Sequence, residues 1–63
     1  MRKFTEDELN PFTKEPTFAN TQEEMAWVQI MIDTCSRYPS QGLQLYAASM
    51  IHRLKRLKEK ALQ

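Results

Sequence analysis

The sequence predicts an all-α protein: a two-helix antiparallel hairpin with an N-terminal arm, associating as a homodimeric helical bundle. Apolar residues recur at helical spacing over residues 21–38 and again over residues 40–63. No stretch of useful length alternates apolar and polar residues as a half-buried strand does. We therefore expect an arm over residues 1–20 and a helical hairpin over residues 21–63, with helices at about 22–37 and 41–62.

The arm contains a short helical turn in this interpretation. Residues 5–8 (TEDE) have the capping-box pattern, and Pro11 ends the turn because the residue before a proline is pushed out of α geometry. Four large apolar residues are too many for an idle tail, so we expect them to pack on the helices. These are Phe4, Leu9, Phe12 and Phe18.

The tripeptide Asn10-Pro11-Phe12 resembles the ligand motif of eukaryotic EH-domain adaptors. The resemblance implies a tight turn that presents the phenylalanine to a pocket of another protein. Three residues recur often by chance. We therefore interpret Phe12 more simply, as one of the side chains that anchor the arm.

The first helix has its own start and stop signals. Residues 21–24 (TQEE) form a second capping-box pattern with Thr21 at the N-cap, and two acids in the first turn suit the helix dipole. Pro39 ends the helix near Arg37. At 100° per residue its apolar side chains cover about 160°, which is wide for a two-helix hairpin, and Ile30 lies outside that arc. This excess of apolar surface on the first helix predicts another packing layer, supplied by the arm, a second subunit, or both.

The second helix has a regular apolar seam. Ser40 is a good N-cap, and a connection as short as residues 38–42 makes the two helices antiparallel neighbours. Tyr46 and Ile51 are expected to widen the seam, whereas Leu45 points away from it. The seam residues are spaced 4, 3, 4, 3 and 4 apart, which is typical of helices packed lengthwise: Leu43, Ala47, Met50, Leu54, Leu57 and Ala61.

A chain of 63 residues needs support beyond a single small core. The usual supports are disulfides, a structural metal or oligomerisation. A single cysteine excludes an internal disulfide, and no ligand spacing predicts a metal site. We therefore expect a homodimer whose core and interface use the apolar helix faces: Trp27, Val28, Met31, Ile32, Cys35, Leu43, Ala47, Met50, Leu54 and Leu57.

Charge is divided unevenly along the chain. Residues 1–33 carry three basic and seven acidic side chains, or −4, and residues 34–63 carry six basic and one acidic, or +5. Two interpretations of the basic run remain open: a solvated helix end whose cations suit the dipole, or a face that neutralises phosphates or an acidic partner. The candidate contact residues are Arg53, Lys55, Arg56, Lys58 and Lys60.

No catalytic, cofactor-binding or metal-binding residues are predicted. Cys35 and His52 are the only nucleophile–base candidates, but Cys35 lies in an apolar stripe and His52 on the outer side of its helix. The single glycine rules out a glycine-rich phosphate loop. We expect a protein that is not an enzyme and has no small-molecule substrate. No apolar run is long enough for a membrane span, residues 1–10 lack a signal peptide, and a free cysteine suits the cytoplasm.

Two segments carry a resemblance to a known group of proteins: residues 1–9 (MRKFTEDEL) and 27–35 (WVQIMIDTC). Through them, and taken end to end, the sequence resembles the small early proteins of lambdoid bacteriophages, from the exo–xis region. The resemblance implies a non-catalytic host-takeover factor in the bacterial host cytoplasm, linked to the host cell cycle or to the lysis–lysogeny choice. It assigns no functional residue.

We therefore predict an early regulatory protein that acts by protein–protein interaction on a host process, through a host protein whose identity the sequence does not indicate. The alternative is a nucleic-acid-binding accessory protein that uses the basic C-terminal helix. A purely structural subunit of a larger assembly is a third interpretation.

Overall fold

A computed structural model describes residues 3–62 as two packed helices preceded by an arm. Helix α1 spans Thr21–Ser36 and helix α2 spans Gln41–Ala61. The described residues include no strand, so the all-α prediction is confirmed. Each helix ends one residue before its predicted last residue, and α1 begins one residue before its predicted first residue. Met1, Arg2 and Gln63, which belong to the predicted arm and hairpin, lie outside the described residues.

The two helices run antiparallel. At the connection, the Gln44 side-chain amide donates to the carbonyl oxygens of Ser36, at 3.2 Å, and Tyr38, at 2.8 Å. At the far end, Arg53 of α2 reaches Glu24 in the first turn of α1. Bonds at both ends of the pair hold the helices side by side along most of their length.

The caps agree with the sequence at α2 and differ from it at α1. Ser40 caps α2 as expected, accepting from the Leu43 amide. The N-cap of α1 is Asn20, and Thr21 is its first helical residue, so the prediction of a Thr21 cap is wrong. Asn20 accepts from the Glu23 amide at 3.0 Å, and Glu23 accepts from the Ala19 amide at 3.2 Å. Asparagine is at least as good a cap as threonine, and the helix begins one residue earlier.

The core lies between the helices of a single chain. Seven of the ten residues predicted for the core and dimer interface are buried there, and Ile32, Leu43 and Leu54 are partly buried against them. The expected widening of the seam by Ile51 is wrong, since that side chain is 55% exposed, and Ala61 at the end of the seam is exposed as well. The buried residues are Trp27, Val28, Met31, Cys35, Ala47, Met50 and Leu57.

The arm begins with the predicted turn at residues 6–9. The Glu8 carboxylate accepts from the Thr5 amide at 3.0 Å, and the Thr5 hydroxyl accepts from the Glu8 amide at 3.3 Å. The Leu9 amide donates to the Thr5 carbonyl oxygen, which completes one helical turn.

Aromatic rings attach the arm to the hairpin. The Phe4 and Phe18 rings pack edge to face with centroids 6.4 Å apart, and Phe18 lies 5.5 Å from Trp27. Phe12 is 83% exposed, so its predicted role as an anchor is wrong. Neither helix in the described part of the chain combines the length and the apolar composition needed to cross a membrane.

Candidate interaction surfaces

The basic run of α2 divides into one residue that faces the arm and four that face solvent. Arg53 is partly buried, with 30% of its side chain exposed. Both interpretations of the basic run, a solvated helix end or a partner-binding face, place all five cations on the solvent side of α2, and for Arg53 this prediction is wrong. The other four are exposed, and none of them forms an ion pair with another described residue: Lys55, Arg56, Lys58 and Lys60.

Arg53 is held by two carboxylates from different parts of the chain. Its Nη1 and Nη2 atoms donate to the two carboxylate oxygens of Glu15 in the arm, the second at 3.0 Å. Its Nη2 and Nε atoms donate to Oε2 of Glu24 in α1, at 2.7 Å and 3.1 Å. Forked, charge-assisted bonds of this kind suit the planar guanidinium, and they join the arm, α1 and α2 at one point.

Trp27 is the fourth residue of this junction. The guanidinium carbon of Arg53 lies 5.6 Å from the Trp27 ring centroid, within cation–π range. The indole Nε1 donates to the Glu8 carbonyl oxygen at 2.7 Å, so the buried ring also fixes the turn of the arm. We call Glu15, Glu24, Trp27 and Arg53 the arm clamp.

The clamp shifts the pKa values of Glu15 and Arg53. The hydrogen bond from Arg53 is the main cause that lowers the pKa of Glu15, aided by the charge of the guanidinium and opposed by partial burial. Conversely, the hydrogen bond to Glu15 is the main cause that raises the pKa of Arg53. The Arg53 donors are engaged within the chain, which leaves this side chain poorly placed to contact a phosphate.

The solvent side of α2 carries a mixed apolar and basic stripe. Ile51, Lys55, Lys58 and Leu62 follow at spacings of 4, 3 and 4 residues, which places them on one face of the helix. Ile51 is 55% exposed and Leu62 is 87% exposed. We call these four residues the outer stripe. Its two lysines lie between two large apolar side chains that the chain itself leaves uncovered.

Further round α2, a shallow polar depression of about 400 Å³ is lined by Ser49, His52, Arg53 and Arg56. Leu45, which the sequence placed away from the seam, is 68% exposed on the same helix. Ile30 of α1, placed outside the apolar arc, is 38% exposed. The solvent side of the hairpin is thus a mixture of cations and isolated apolar groups.

Cys35 and His52 occupy different environments. Cys35 is fully buried in the core, and burial raises the pKa of its thiol, which disfavours the reactive thiolate. His52 is exposed beside Arg53 and Arg56. In the part of the chain that the structure describes, no three His, Cys, Asp or Glu side chains are grouped so that they could hold a metal ion.

Comparison with known proteins gives no relatives. No protein family, no curated protein and no solved structure gives a significant match to this chain.

Proposed function

We propose that this chain is a non-catalytic regulatory protein that binds a host protein through the outer stripe of α2. The resemblance to small early proteins of lambdoid bacteriophages supports the setting: a bacterial host cytoplasm, and a role in the host cell cycle or in the choice between lysis and lysogeny. The observation that carries the proposal is the stripe itself. It leaves Ile51 and Leu62 exposed around two lysines that have no acidic partner among the described residues.

The chemistry of the stripe defines the partner. Ile51 and Leu62 lie eleven residues apart on one helix face, about 16 Å at 1.5 Å per residue, and each provides an apolar anchor. Lys55 and Lys58 lie between them and contribute orientation and association rate more than affinity. This arrangement suits a partner surface with an apolar groove and Asp or Glu side chains at its rim, which would hold α2 as a helix in a groove.

A capture experiment with matched variants tests this function. Tagged wild-type chain, a Lys55→Glu/Lys58→Glu variant and a Lys3→Glu/Lys14→Glu variant are each expressed in the bacterial host. The two variants have the same net charge, and all four lysines are exposed. We expect a protein captured by the wild type to be lost from the first variant and kept by the second. Capture that is equal for all three chains would contradict the proposal.

A nucleic-acid-binding accessory function is the second candidate, and the four exposed cations of α2 favour it. If Lys55, Arg56, Lys58 and Lys60 each neutralised one phosphate of a DNA duplex, the logarithm of affinity would fall with a slope of about −3.6 against the logarithm of salt concentration. Raising salt from about 50 to about 200 mM would then weaken binding by about 150-fold.

A titration of the chain with a short duplex at both salt concentrations separates the two functions. The nucleic-acid function predicts measurable, steeply salt-dependent binding that is lost in a Lys55→Glu/Arg56→Glu variant. Protein binding through the outer stripe predicts negligible affinity for the duplex at both salt concentrations, in the wild type and in the variant.

A further inference from the structure

A tight turn at residues 10–13, which follows the helical turn at residues 6–9, holds a phenylalanine away from the protein. The Asn10 side-chain oxygen accepts from the Phe12 amide at 2.8 Å, and the Asn10 carbonyl oxygen accepts from the Thr13 amide at 3.2 Å. The Thr13 hydroxyl also donates to the Asp7 carbonyl oxygen at 2.7 Å. These bonds fix the turn, and Phe12 remains 83% exposed. A ring on a preorganised turn loses little conformational freedom when it docks.

The Phe12 ring lines two shallow clefts. One, of about 320 Å³, has the arm residues Leu9 and Pro11 on one side and Tyr38 and Leu43 on the other. The second, of about 230 Å³, reaches Gly42 and Tyr46 at the start of α2. A cavity of about 150 Å³ accepts a benzene molecule, so each cleft has room for a phenyl ring. We call the ring and the two clefts the Phe12 surface.

The Phe12 surface is uncharged. Of the described residues that line the two clefts, none carries a formal charge, although 27% of the chain is charged. Across a two-fold axis a patch faces its own copy, and any charge close to the axis meets the same charge. A neutral patch with a protruding ring beside a receiving cleft meets this condition. A partner recruited by charge would instead be drawn to the basic side of α2.

We propose that the Phe12 surface is the two-fold interface with a second copy of this chain, with Phe12 of each protomer seated in a cleft of the other. The residues of the predicted helix-face interface are occupied within one chain: seven are buried in its core and the other three pack against it. The neutral surface beside the connection offers an interface that leaves this packing intact. In such a dimer both outer stripes remain free.

The size of the surface sets the expected affinity. A standard interface buries about 800 Å² per partner, about a sixth of the 4,940 Å² exposed by this chain. The two clefts and their ring form only the centre of such an area. We therefore expect a weak dimer with a Kd of the order of tens of micromolar, dominated by one anchor side chain as in other interfaces.

Analytical ultracentrifugation of the purified chain, from about 1 µM to about 1 mM, tests the proposal. Wild type is expected to pass from monomer to dimer, and Phe12→Asp to raise the Kd at least 30-fold, because it removes the anchor and opposes two like charges. Leu62→Asp is the matched control: Leu62 is 87% exposed but lies on the outer stripe, and this variant is expected to dimerise like wild type.

Gly42 provides a second variant that separates dimerisation from folding. A Cβ atom at Gly42 would meet only the Ser40 hydroxyl oxygen, at an ordinary 3.8 Å. Gly42→Leu is therefore expected to keep or raise the thermal stability of the chain, since glycine is a poor helix former, while its side chain enters the second cleft and weakens the dimer.

Three results would overturn the proposal. These are a wild type that stays monomeric to about 1 mM, a Phe12→Asp variant that dimerises normally, or a dimer lost through Leu62→Asp instead. All of these measurements use the purified chain alone. If the ultracentrifugation results contradict the dimer, the proposed binding of a host protein still stands. If the capture experiment contradicts the binding of a host protein, the proposed dimer still stands.

Discussion

Arg53 and Arg56 lie three residues apart on α2 and differ in what surrounds them. Arg53 faces the arm, where Glu15, Glu24 and Trp27 occupy its donors and the face of its guanidinium. Arg56 faces solvent, where no described carboxylate pairs with it. Residues three apart are neighbours on one helix face, and both arginines line the same depression. Arg53 nevertheless stabilises the fold, because the carboxylates of Glu15 and Glu24 hold its guanidinium, whereas Arg56 is free for a partner. A run of cations is not one functional surface, because the direction of each side chain decides its role.

The largest expected effect comes from removing the aromatic ring of the arm clamp. Trp27→Ala removes a side chain that is 2% exposed, together with its hydrogen bond to the arm and its contact with Phe18. We expect a loss of about 3–5 kcal/mol in the free energy of unfolding, which leaves little stability in a domain of this size. Urea denaturation followed by circular dichroism measures it. Stability within about 1 kcal/mol of wild type would mean that the arm does not depend on Trp27.

A matched pair of arginine substitutions gives the next largest contrast. Arg53→Met keeps an apolar stem but leaves Glu15 and Glu24 without the cation between them, and we expect it to cost about 1–2 kcal/mol. Arg56→Met makes the same chemical change at an exposed position and should stay within about 0.5 kcal/mol of wild type. Denaturation midpoints of the two variants measure the difference directly. Equal midpoints would remove the distinction between the two arginines.

Acid should weaken the clamp through Glu15. The folded-state pKa of Glu15 lies below its ordinary value of 4.5, so its contribution to stability is complete above that value and is lost as the pH falls through the folded-state pKa. Because the Glu15 side chain is 46% exposed, we expect at most about 1 kcal/mol.

Glu15→Gln isolates this contribution. The stability lost between about pH 7 and about pH 3 should be smaller in Glu15→Gln than in wild type, because the variant cannot lose the charge. An identical acid dependence in the two chains would show that Glu15 contributes nothing to the clamp. Denaturation curves at both pH values are the measurement.

The smallest effect on stability is expected on the outer stripe. Lys58→Gln removes an exposed cation that is unpaired among the described residues, and its cost should not exceed about 0.5 kcal/mol, from the loss of a favourable charge near the α2 C-terminus. A thermal denaturation scan measures this cost. A larger loss would place Lys58 in the fold and weaken the proposal that the stripe is reserved for a partner.

Much of the helical fold could be predicted from local rules. The adjacent residues Pro39 and Ser40 mark the end of one helix and the start of the next. The apolar spacing identifies the side chains that the hairpin buries. The residue before a proline and the N-cap obey constraints that act within one turn, so one sequence suffices to apply them. Asn20 and Thr21 are both good caps in adjacent positions, which is why the start of α1 was misplaced by one residue.

The parts that could not be predicted depend on distant residues. Arg53 meets Glu15 across 38 positions and Glu24 across 29, and no local pattern links them. The charge run therefore predicted five equivalent cations where the structure has one clamp residue and four exposed ones. Phe12 was misplaced for another reason. The sequence indicated a turn at Asn10, but the direction of the ring follows from hydrogen bonds to the Asn10 side chain and to the preceding turn.

The most direct test of the central claim, that Arg53 holds the arm while Arg56 does not, is hydrogen exchange of the Trp27 indole proton measured by NMR. This proton is bonded to the Glu8 carbonyl oxygen of the arm and is exposed only when the arm opens. We expect Arg53→Met to increase its exchange rate by about tenfold or more, in line with a loss of about 1.4 kcal/mol, and Arg56→Met to leave the rate as in wild type. Equal exchange rates in the two variants would contradict the claim.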